Sequence, residues 1–311
     1  MERGILIALW VTLPITAGGV AADALDDWAT APQVVAAVLL WAAWAAALLA
    51  IVIPRPIGLT ALRAIAPLFA VLTLTAAVTA DADAVITAVA IVVTVATAVL
   101  AARPAIAFAA VNAIAYGDEE RFPLRVPPAL FVGPLPLVRL ALGAAVVAGP
   151  LLFADERWVL GAVACAIGIP VAVVAARALQ GLSERWAVLV PAGFVVVDPL
   201  TLSDPVLFVR EHIVTLRAAP QKAPADETVL DLRLGATLGS LSLTLDQPAE
   251  IFRATRARRG AVTTHASDIR VAVLRPREIL TRAAQRKIPV TLSTGSRAQS
   301  AMPPPTNTSP A

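Results

Sequence analysis

The first 180 residues contain no serine, no histidine and no lysine. An intramembrane serine protease needs a serine that is activated by histidine or lysine, so the sequence excludes that class from this part of the chain. A zinc or other transition-metal site built on histidine is excluded there as well, because one cysteine, Cys165, cannot supply the ligands. Cys165 also has no partner for a disulfide within the chain.

Charged residues are scarce as well. They make up 15% of the 311 residues, whereas hydrophobic residues make up 58% and the mean hydropathy is +0.78. A soluble globular domain usually carries about 25% charged residues. The apolar residues are gathered into long runs, which is the pattern of a protein that crosses a membrane several times. Lysine is nearly absent, and the abundance of arginine and alanine is typical of a high-GC bacterial genome.

Six apolar runs are long enough to cross a bilayer. The first run could also be a signal peptide, because Val20-Ala21-Ala22 has the small residues of a cleavage site. A retained helix is the preferred interpretation, since Pro14 interrupts the run and only one basic residue precedes it. An α-helical transmembrane bundle of about six helices is therefore predicted for residues 1–183, with spans near 4–22, 34–53, 57–80, 84–102, 129–153 and 158–178.

The arginines predict the orientation of this bundle. Only Arg157 lies beside the loops at one end of the runs, where Asp23 and Asp155 are found. Basic residues are retained on the cytoplasmic side of a membrane. We therefore expect the inner (plasma) membrane of a bacterial cell, with both termini in the cytoplasm. The arginines at the cytoplasmic end are Arg3, Arg55, Arg63, Arg103, Arg121, Arg125, Arg177 and Arg185.

Residues 105–139 do not form a simple span. The apolar stretch Ala105–Gly117 is too short to cross a bilayer, so an interfacial or re-entrant segment is predicted. Arg139 would lie either at the cytoplasmic mouth of a helix or among the helices, and the first placement costs less free energy. The charged residues are a candidate interface cluster, which is either a set of local ion pairs or a binding surface between the two halves of the chain. The cluster comprises Asp118, Glu119, Glu120, Arg121, Arg125 and Arg139.

The hydropathy pattern changes at residue 184. Short runs of alternating apolar and polar residues are separated by turn residues, and they predict an antiparallel β-rich cytoplasmic domain over 184–288. Two helices are predicted within it, over Pro248–Arg259 and Pro276–Lys287. Residues 289–311 are rich in Ser, Thr, Pro and Ala and are predicted to be a disordered tail.

The strands predicted over 186–217, with Gly193 in the first turn and a step from charged to apolar residues at Arg210–Val214, resemble a bacterial pleckstrin-homology-like (PH-like) domain attached to membrane helices. The predicted closing helix agrees with that fold. Tyr116–Arg125 resembles a stretch of an uncharacterised group of actinobacterial multi-pass membrane proteins. The first resemblance implies a binding module, and the second implies no particular activity.

The densest basic cluster lies in the predicted β-rich domain. Arg253 and Arg256 are three residues apart and would share one face of the predicted helix. They are candidate contacts for anionic lipid headgroups or a phosphorylated ligand, and a solvated helix end is the simpler interpretation. Nucleic acid is not expected, because no aromatic residues are interleaved. The whole cluster comprises Arg253, Arg256, Arg258 and Arg259.

The sequence contains no pattern typical of a catalytic, cofactor or metal site. We expect a non-enzymatic integral membrane scaffold or regulatory protein whose cytoplasmic β domain binds lipid headgroups or a protein partner. The alternative is a transporter or channel component with a cavity near Arg139, because irregular backbone at membrane depth often lines a cavity. A third hypothesis is an enzyme that uses Asp118, Glu119 or Glu120 on lipid-linked substrates, but no catalytic partner for these acids is evident.

Overall fold

Six long apolar helices precede a pair of β-sheets in the structure, a computed structural model that describes residues 1–79, 83–219, 228–254 and 261–291. The described helices are, in chain order, α1 (Glu2–Leu25), α2 (Thr30–Val52), α3 (Pro56–Thr79), α4 (Ala84–Ala101), α5 (Pro104–Asn112), α6 (Pro128–Val132), α7 (Pro134–Ala154), α8 (Trp158–Ser183) and α9 (Pro276–Gln285). Helices α1 to α4, α7 and α8 have the length and apolar composition needed to cross a membrane. They agree with the six predicted spans.

Helix α1 is a packed part of the bundle. Leu6 and Trp10 are fully buried, and α1 packs against α4 and α3. The indole Nε1 of Trp10 donates to the carbonyl of Trp44 at 3.0 Å, and Nε1 of Trp44 donates back to the carbonyl of Trp10 at 2.9 Å. These reciprocal bonds tie α1 to α2 without leaving a polar group in an apolar layer. The first apolar run thus supplies core residues to the bundle.

Small residues let α7 and α8 approach each other closely. A Cβ on Gly168 would lie 2.8 Å from the carbonyl oxygen of Ala145, and one on Gly149 would lie 2.3 Å from the Sγ of Cys165. Such contacts are typical of helix pairs in membranes, where packing rather than hydrophobic exclusion holds helices together. The single cysteine therefore fills a gap between two helices.

The stretch between α4 and α7 leaves the bundle and returns to it. The short helix α5 is followed by a strand at Glu120–Pro123 and then by α6. Gly133 separates α6 from α7, so the span predicted near 129–153 begins at Pro134 after a break. The expected irregular start of the fifth long helix is therefore present.

Nine strands are described, in two sheets. They are β1 (Glu120–Pro123), β2 (Trp186–Val190), β3 (Gly193–Val197), β4 (Val206–Val209), β5 (Ile213–Ala218), β6 (Val229–Asp231), β7 (Ser240–Ala254), β8 (Ala261–Ala272) and β9 (Val290–Thr291). One sheet has the order β1-β2-β3-β4 and is antiparallel, and the other has the order β6-β8-β7-β5-β9.

One apolar core joins the two sheets. Phe122 and Phe194 of the first sheet are fully buried together with Leu216 and Leu243 of the second. Helix α9 closes this core with its apolar face, of which Ile279 is fully buried. The two sheets and α9 therefore form one domain, called the β domain below.

The second sheet is mixed rather than antiparallel. Strand β9 pairs with β5 in parallel, and β6 pairs with β8 in parallel. A parallel pair needs a crossover connection, and α9 lies in the connection that leads to β9. Val290 and Thr291, which were assigned to the disordered tail, are thus an edge strand; residues 292–311 lie outside the described residues.

The prediction of a helix over Pro248–Arg259 is wrong for residues 248–254, which the structure describes. β7 continues through Ala254 and pairs with β8, with a register shift between Thr244 and Ala249. Pro248 falls in that irregular stretch, where its missing N–H interrupts no ladder. Cross-strand pairing with β8 overrides local helix propensity here, because the strand buries Ile251 in the apolar core of the sheets.

The sheet also extends across the predicted domain boundary at residue 184. β1 pairs with β2 in the register Phe122↔Ala187, and Phe122 belongs to the common core. A strand from the loop between α5 and α6 is therefore part of the β domain, although α7 and α8 separate it from the other strands in the chain.

Candidate functional site

The predicted interface cluster lies where α5 meets the first sheet. Glu119 accepts a hydrogen bond of 3.0 Å from Arg121, whose guanidinium also lies 5.5 Å from the centroid of the Trp186 ring. The Oε1 atom of Glu120 is 3.5 Å from Nε of Arg282 in α9, and Asp118 is exposed. Two of the three acids are thus engaged with arginines that fasten β1 to its neighbours.

The outer edge of β1 is paired with a side chain. Asn112 Nδ2 donates to the carbonyl of Arg121 at 2.7 Å, and the N–H of Arg121 donates to Asn112 Oδ1 at 2.8 Å. Phe108, one turn earlier on α5, packs on Phe122 with the ring centroids 5.6 Å apart. The amide therefore satisfies the backbone of β1 as a further strand would.

Replacing Asn112 by leucine is expected to destabilise the protein by about 1–3 kcal/mol, because the backbone of Arg121 loses both partners. Thermal unfolding of the full-length protein in detergent, followed by tryptophan fluorescence, measures the loss. Gln285→Leu is the control, since that amide is exposed and its hydrogen bond of 3.3 Å with Arg282 lies at the surface. Equal melting temperatures for Asn112→Leu and the unchanged protein would contradict the assigned pairing.

A buried ion pair joins the end of α8 to the first sheet. Arg185 Nε donates to Asp198 Oδ1 at 2.8 Å, and Arg185 Nη2 donates to Asp198 Oδ2 at 2.7 Å. Arg185 Nη1 also donates to the carbonyl of Arg125 at 2.9 Å, and the N–H of Arg125 donates to the carbonyl of Ala272 at 2.8 Å. Both sheets and α8 are thereby tied at one point. The sequence pattern indicates for Arg185 only a position at the cytoplasmic end of the helices, and it does not predict this ion pair.

A second ion pair lies in the turn that follows β6. Burial raises the pKa of the Asp231 carboxyl, but hydrogen bonds from Arg233 and the charge of Arg233 and Arg270 lower it more, so it falls below the ordinary value. The hydrogen bond from Arg233 to Asp231 in turn raises the pKa of the guanidinium. Arg233 also reaches Ser240 at 3.3 Å. These groups brace the turn.

A pocket lies between α3, α7 and α8 at the bundle end that faces the β domain. It has an empty volume of about 320 Å³, which includes space open to solvent. We call it the Arg63–Arg139 pocket after its two charged residues. It is lined by Thr60, Arg63, Val126, Leu135, Arg139, Leu179, Leu182 and Ser183.

The positive charge in this pocket is not balanced. The Nε atoms of Arg63 and Arg139 are buried and have no hydrogen-bond partner among the described residues. The polar groups beside them are engaged with one another: Thr60 donates to Gln180 at 2.6 Å, and Gln180 donates to Glu184 at 2.7 Å. Among the residues that the structure describes, no acidic side chain lines the pocket.

Both arginines lie near one end of their helices. Arg63 precedes the end of α3 by 16 residues and Arg139 precedes the end of α7 by 15, which corresponds to about 24 and 22 Å of helix. The hydrocarbon core of a bilayer is about 30 Å thick. A bilayer whose hydrocarbon core begins at the far ends of these helices would place both Cα atoms about 6–8 Å inside the opposite boundary, a depth from which a long arginine side chain can extend to the headgroups.

One residue of the predicted basic cluster, Arg253, lies in β7. Arg253 is exposed near the end of β7 and is paired with Val262 of β8, which is 54% exposed. Its neighbour Phe252 is 45% exposed. Arg256, Arg258 and Arg259 follow in the chain and lie outside the described residues.

The last described residue of β7 is connected to the end of α8 through Thr201 and Leu200. The N–H of Ala254 donates to the carbonyl of Thr201 at 3.0 Å, and Leu200 reaches to 3.6 Å from the position that a Cβ would take on Gly181. Gly181 is in the last turn of α8, a helix of 26 residues and about 39 Å. A bilayer around α8 would leave that turn at headgroup level, on the side of the bundle where Leu200 and Thr201 connect it to β7.

The described residues bring together arginines rather than a catalytic set. No three His, Cys, Asp or Glu side chains gather there as a metal site, and His212 is engaged in an exposed pair with Asp246 at 3.3 Å. No protein-family model, curated protein or solved structure matches the chain. Any assignment of function must therefore be based on the residues of this chain and their positions in the structure.

Proposed function

We propose that this protein is a non-enzymatic integral membrane scaffold or regulatory protein whose β domain, of PH-like type, binds anionic lipid headgroups at the cytoplasmic face. The position of the β7–β8 hairpin carries the proposal. Arg253 and the exposed Phe252 precede Ala254, which is hydrogen-bonded to Thr201, and the neighbouring Leu200 lies beside Gly181 in the last turn of α8. A cation next to an apolar side chain suits the boundary between headgroups and acyl chains.

The rigid attachment of the β domain supports this function. α8 is followed at once by the buried pair of Arg185 and Asp198, and β1 is supplied by the loop between α5 and α6. A domain fixed in this way keeps the same surface towards the membrane, as a scaffold requires. Each basic residue near an anionic leaflet contributes about 1 kcal/mol of attraction.

The two alternative functions receive less support. A transporter would need a polar path along the bundle, whereas the Arg63–Arg139 pocket lies at one end of it. An enzyme that uses Asp118, Glu119 or Glu120 would need a free carboxylate. Glu119 and Glu120 face arginines, which leaves only the exposed Asp118 for that role.

Neutralising the hairpin arginines is expected to release the hairpin from an anionic bilayer. The full-length protein is labelled at Ala254→Cys in a Cys165→Ala background with an environment-sensitive fluorophore and placed in nanodiscs. We expect a blue shift with phosphatidylglycerol but not with phosphatidylcholine, and loss of that shift when Arg253, Arg256, Arg258 and Arg259 become glutamine. High salt should weaken it, because exposed charges are screened.

The control removes the same charge elsewhere in the β domain. A variant with Arg210, Arg217, Arg277 and Lys287 changed to glutamine is expected to keep the blue shift. Identical emission in the two lipids, or equal losses in both quadruple variants, would refute lipid binding by the hairpin.

A further inference from the structure

We propose that the Arg63–Arg139 pocket binds a phosphate group, presented by an anionic lipid headgroup or free in solution. The pocket is separate from the β7–β8 hairpin, and the proposal stands even if the hairpin binds no lipid. It concerns the helix bundle, where two guanidinium groups that repel each other line one small space.

The unbalanced charge points to an anionic ligand. Arg63 and Arg139 are half-buried and their Nε atoms are fully buried. A cation that is partly withdrawn from water normally has a counter-ion, because the lost hydration costs free energy that a partner must offset. Here the two arginines have no ion pair or hydrogen bond among the described residues. An anion between them would supply the counter-charge and relieve the repulsion in one step.

The available donors match a phosphate. Each guanidinium presents its N–H groups as a planar fork that can bind two oxygens of one phosphate. The neighbouring hydroxyls are already used within the protein, since Thr60 bonds Gln180 and Ser183 donates to the carbonyl of Leu179 at 3.3 Å. The two arginines are therefore the groups left to recognise a ligand.

The remaining walls favour a phosphate that is attached to a lipid. Leu135 and Leu179 are buried beside the arginines, and Leu182 and Val126 complete the apolar lining. In a bilayer around these helices both arginine side chains are long enough to extend to the level of the headgroups. A lipid phosphate at that level can bind both arginines while its glycerol and acyl part lies against the leucines.

The pocket also reaches the β domain through one of its lining residues. Val126 follows Arg125, whose backbone is hydrogen-bonded to Arg185 and Ala272. A ligand in the pocket would thus contact the connection that holds the β domain in place.

The test uses the full-length protein in detergent and follows thermal unfolding. Added ligands are phosphatidylglycerol, a diacylglycerol that lacks the phosphate, and inorganic phosphate. We expect phosphatidylglycerol to raise the Tm of the unchanged protein and diacylglycerol to have no effect. Arg63→Gln and Arg139→Gln are each expected to weaken the apparent Kd at least tenfold, as loss of a charge-assisted hydrogen bond does.

The control is Arg177→Gln, which removes an exposed arginine from the same end of α8 and should keep the full response. Without ligand, the double variant Arg63→Gln and Arg139→Gln should melt at or above the temperature of the unchanged protein, because it removes two unpaired and mutually repelling charges. A merely structural role would predict a lower Tm. Arg63→Lys with Arg139→Lys keeps the charges without the forks and should respond weakly.

The ligands separate the two sources of phosphate. A response to phosphatidylglycerol alone identifies a lipid phosphate, and a response to both phosphatidylglycerol and inorganic phosphate identifies a site that also accepts the free ion. The proposal is overturned if neither ligand stabilises the protein or if the double variant responds as strongly as Arg177→Gln. The hairpin quadruple variant should retain the response, so failure of the hairpin's lipid binding is distinguishable from failure of the pocket.

Discussion

Replacing Asp198 by asparagine is expected to destabilise the β domain by about 3–5 kcal/mol. The side chains of Arg185 and Asp198 are 1% and 0% exposed, and they share two hydrogen bonds. Asparagine keeps the size of the side chain but removes the counter-charge, so a guanidinium remains buried without an anion. The loss should be large because water cannot reach the charge.

The loss of stability is measured by chemical unfolding of the full-length protein, with the unfolded fraction determined from the rate at which a protease cleaves the β domain. Asp155→Asn is the matched control, since Asp155 pairs with Arg157 at 2.7 Å while their side chains are 45% and 61% exposed. An exposed pair contributes about 0–1 kcal/mol. Replacing both buried partners, as Arg185→Met with Asp198→Leu, should restore most of the stability. Equal losses for Asp198→Asn and Asp155→Asn would contradict the prediction.

A fragment of residues 184–291 is expected not to fold cooperatively. It lacks β1, and therefore Phe122, a fully buried residue of the common core. Loss of a core phenylalanine side chain alone costs about 3–5 kcal/mol, which is comparable to the whole stability of many domains. The fragment would also leave the edge of β2 unpaired, and an unpaired apolar edge promotes aggregation.

Circular dichroism and size-exclusion chromatography of the fragment test this expectation. The matched protein carries residues 118–126 joined to residue 184 through a short Gly/Ser linker, which the antiparallel register Pro123↔Trp186 permits. The joined form should be monomeric and should unfold in one transition. Phe122→Ala in the joined form should abolish that transition. A monomeric, cooperatively folding fragment without residues 118–126 would refute the prediction.

The long helices could be predicted because their signal is local. Each apolar run is continuous in the chain, and length alone determines whether it can cross a bilayer. The same holds for α9, whose apolar residues recur at the helical period and whose start is marked by Pro276.

The parts that the sequence did not reveal depend on partners distant in the chain. Glu120–Pro123 is short and charged and contains proline, so nothing local marks it as a strand; its pairing with β2 makes it one. Arg63 and Arg139 could each be placed near an interface, but only the packing of α3 against α7 brings them to one pocket. The ion pair of Arg185 and Asp198 could have been predicted from the sequence. These residues directly flank Trp186 and Val197, which face each other in a predicted hairpin.

The position of β1 in the chain also sets the order in which the protein can be completed during synthesis. β1 leaves the ribosome before α7 and α8, whereas its partner β2 follows some 60 residues later. At about 5–20 residues per second the strand waits roughly 3–12 seconds for its partner. In the folded protein Asn112 pairs with the backbone of β1 on the side away from β2. Closure of the sheet can occur only after α7 and α8 have been synthesised, so a closed sheet reports that all the long helices have been made.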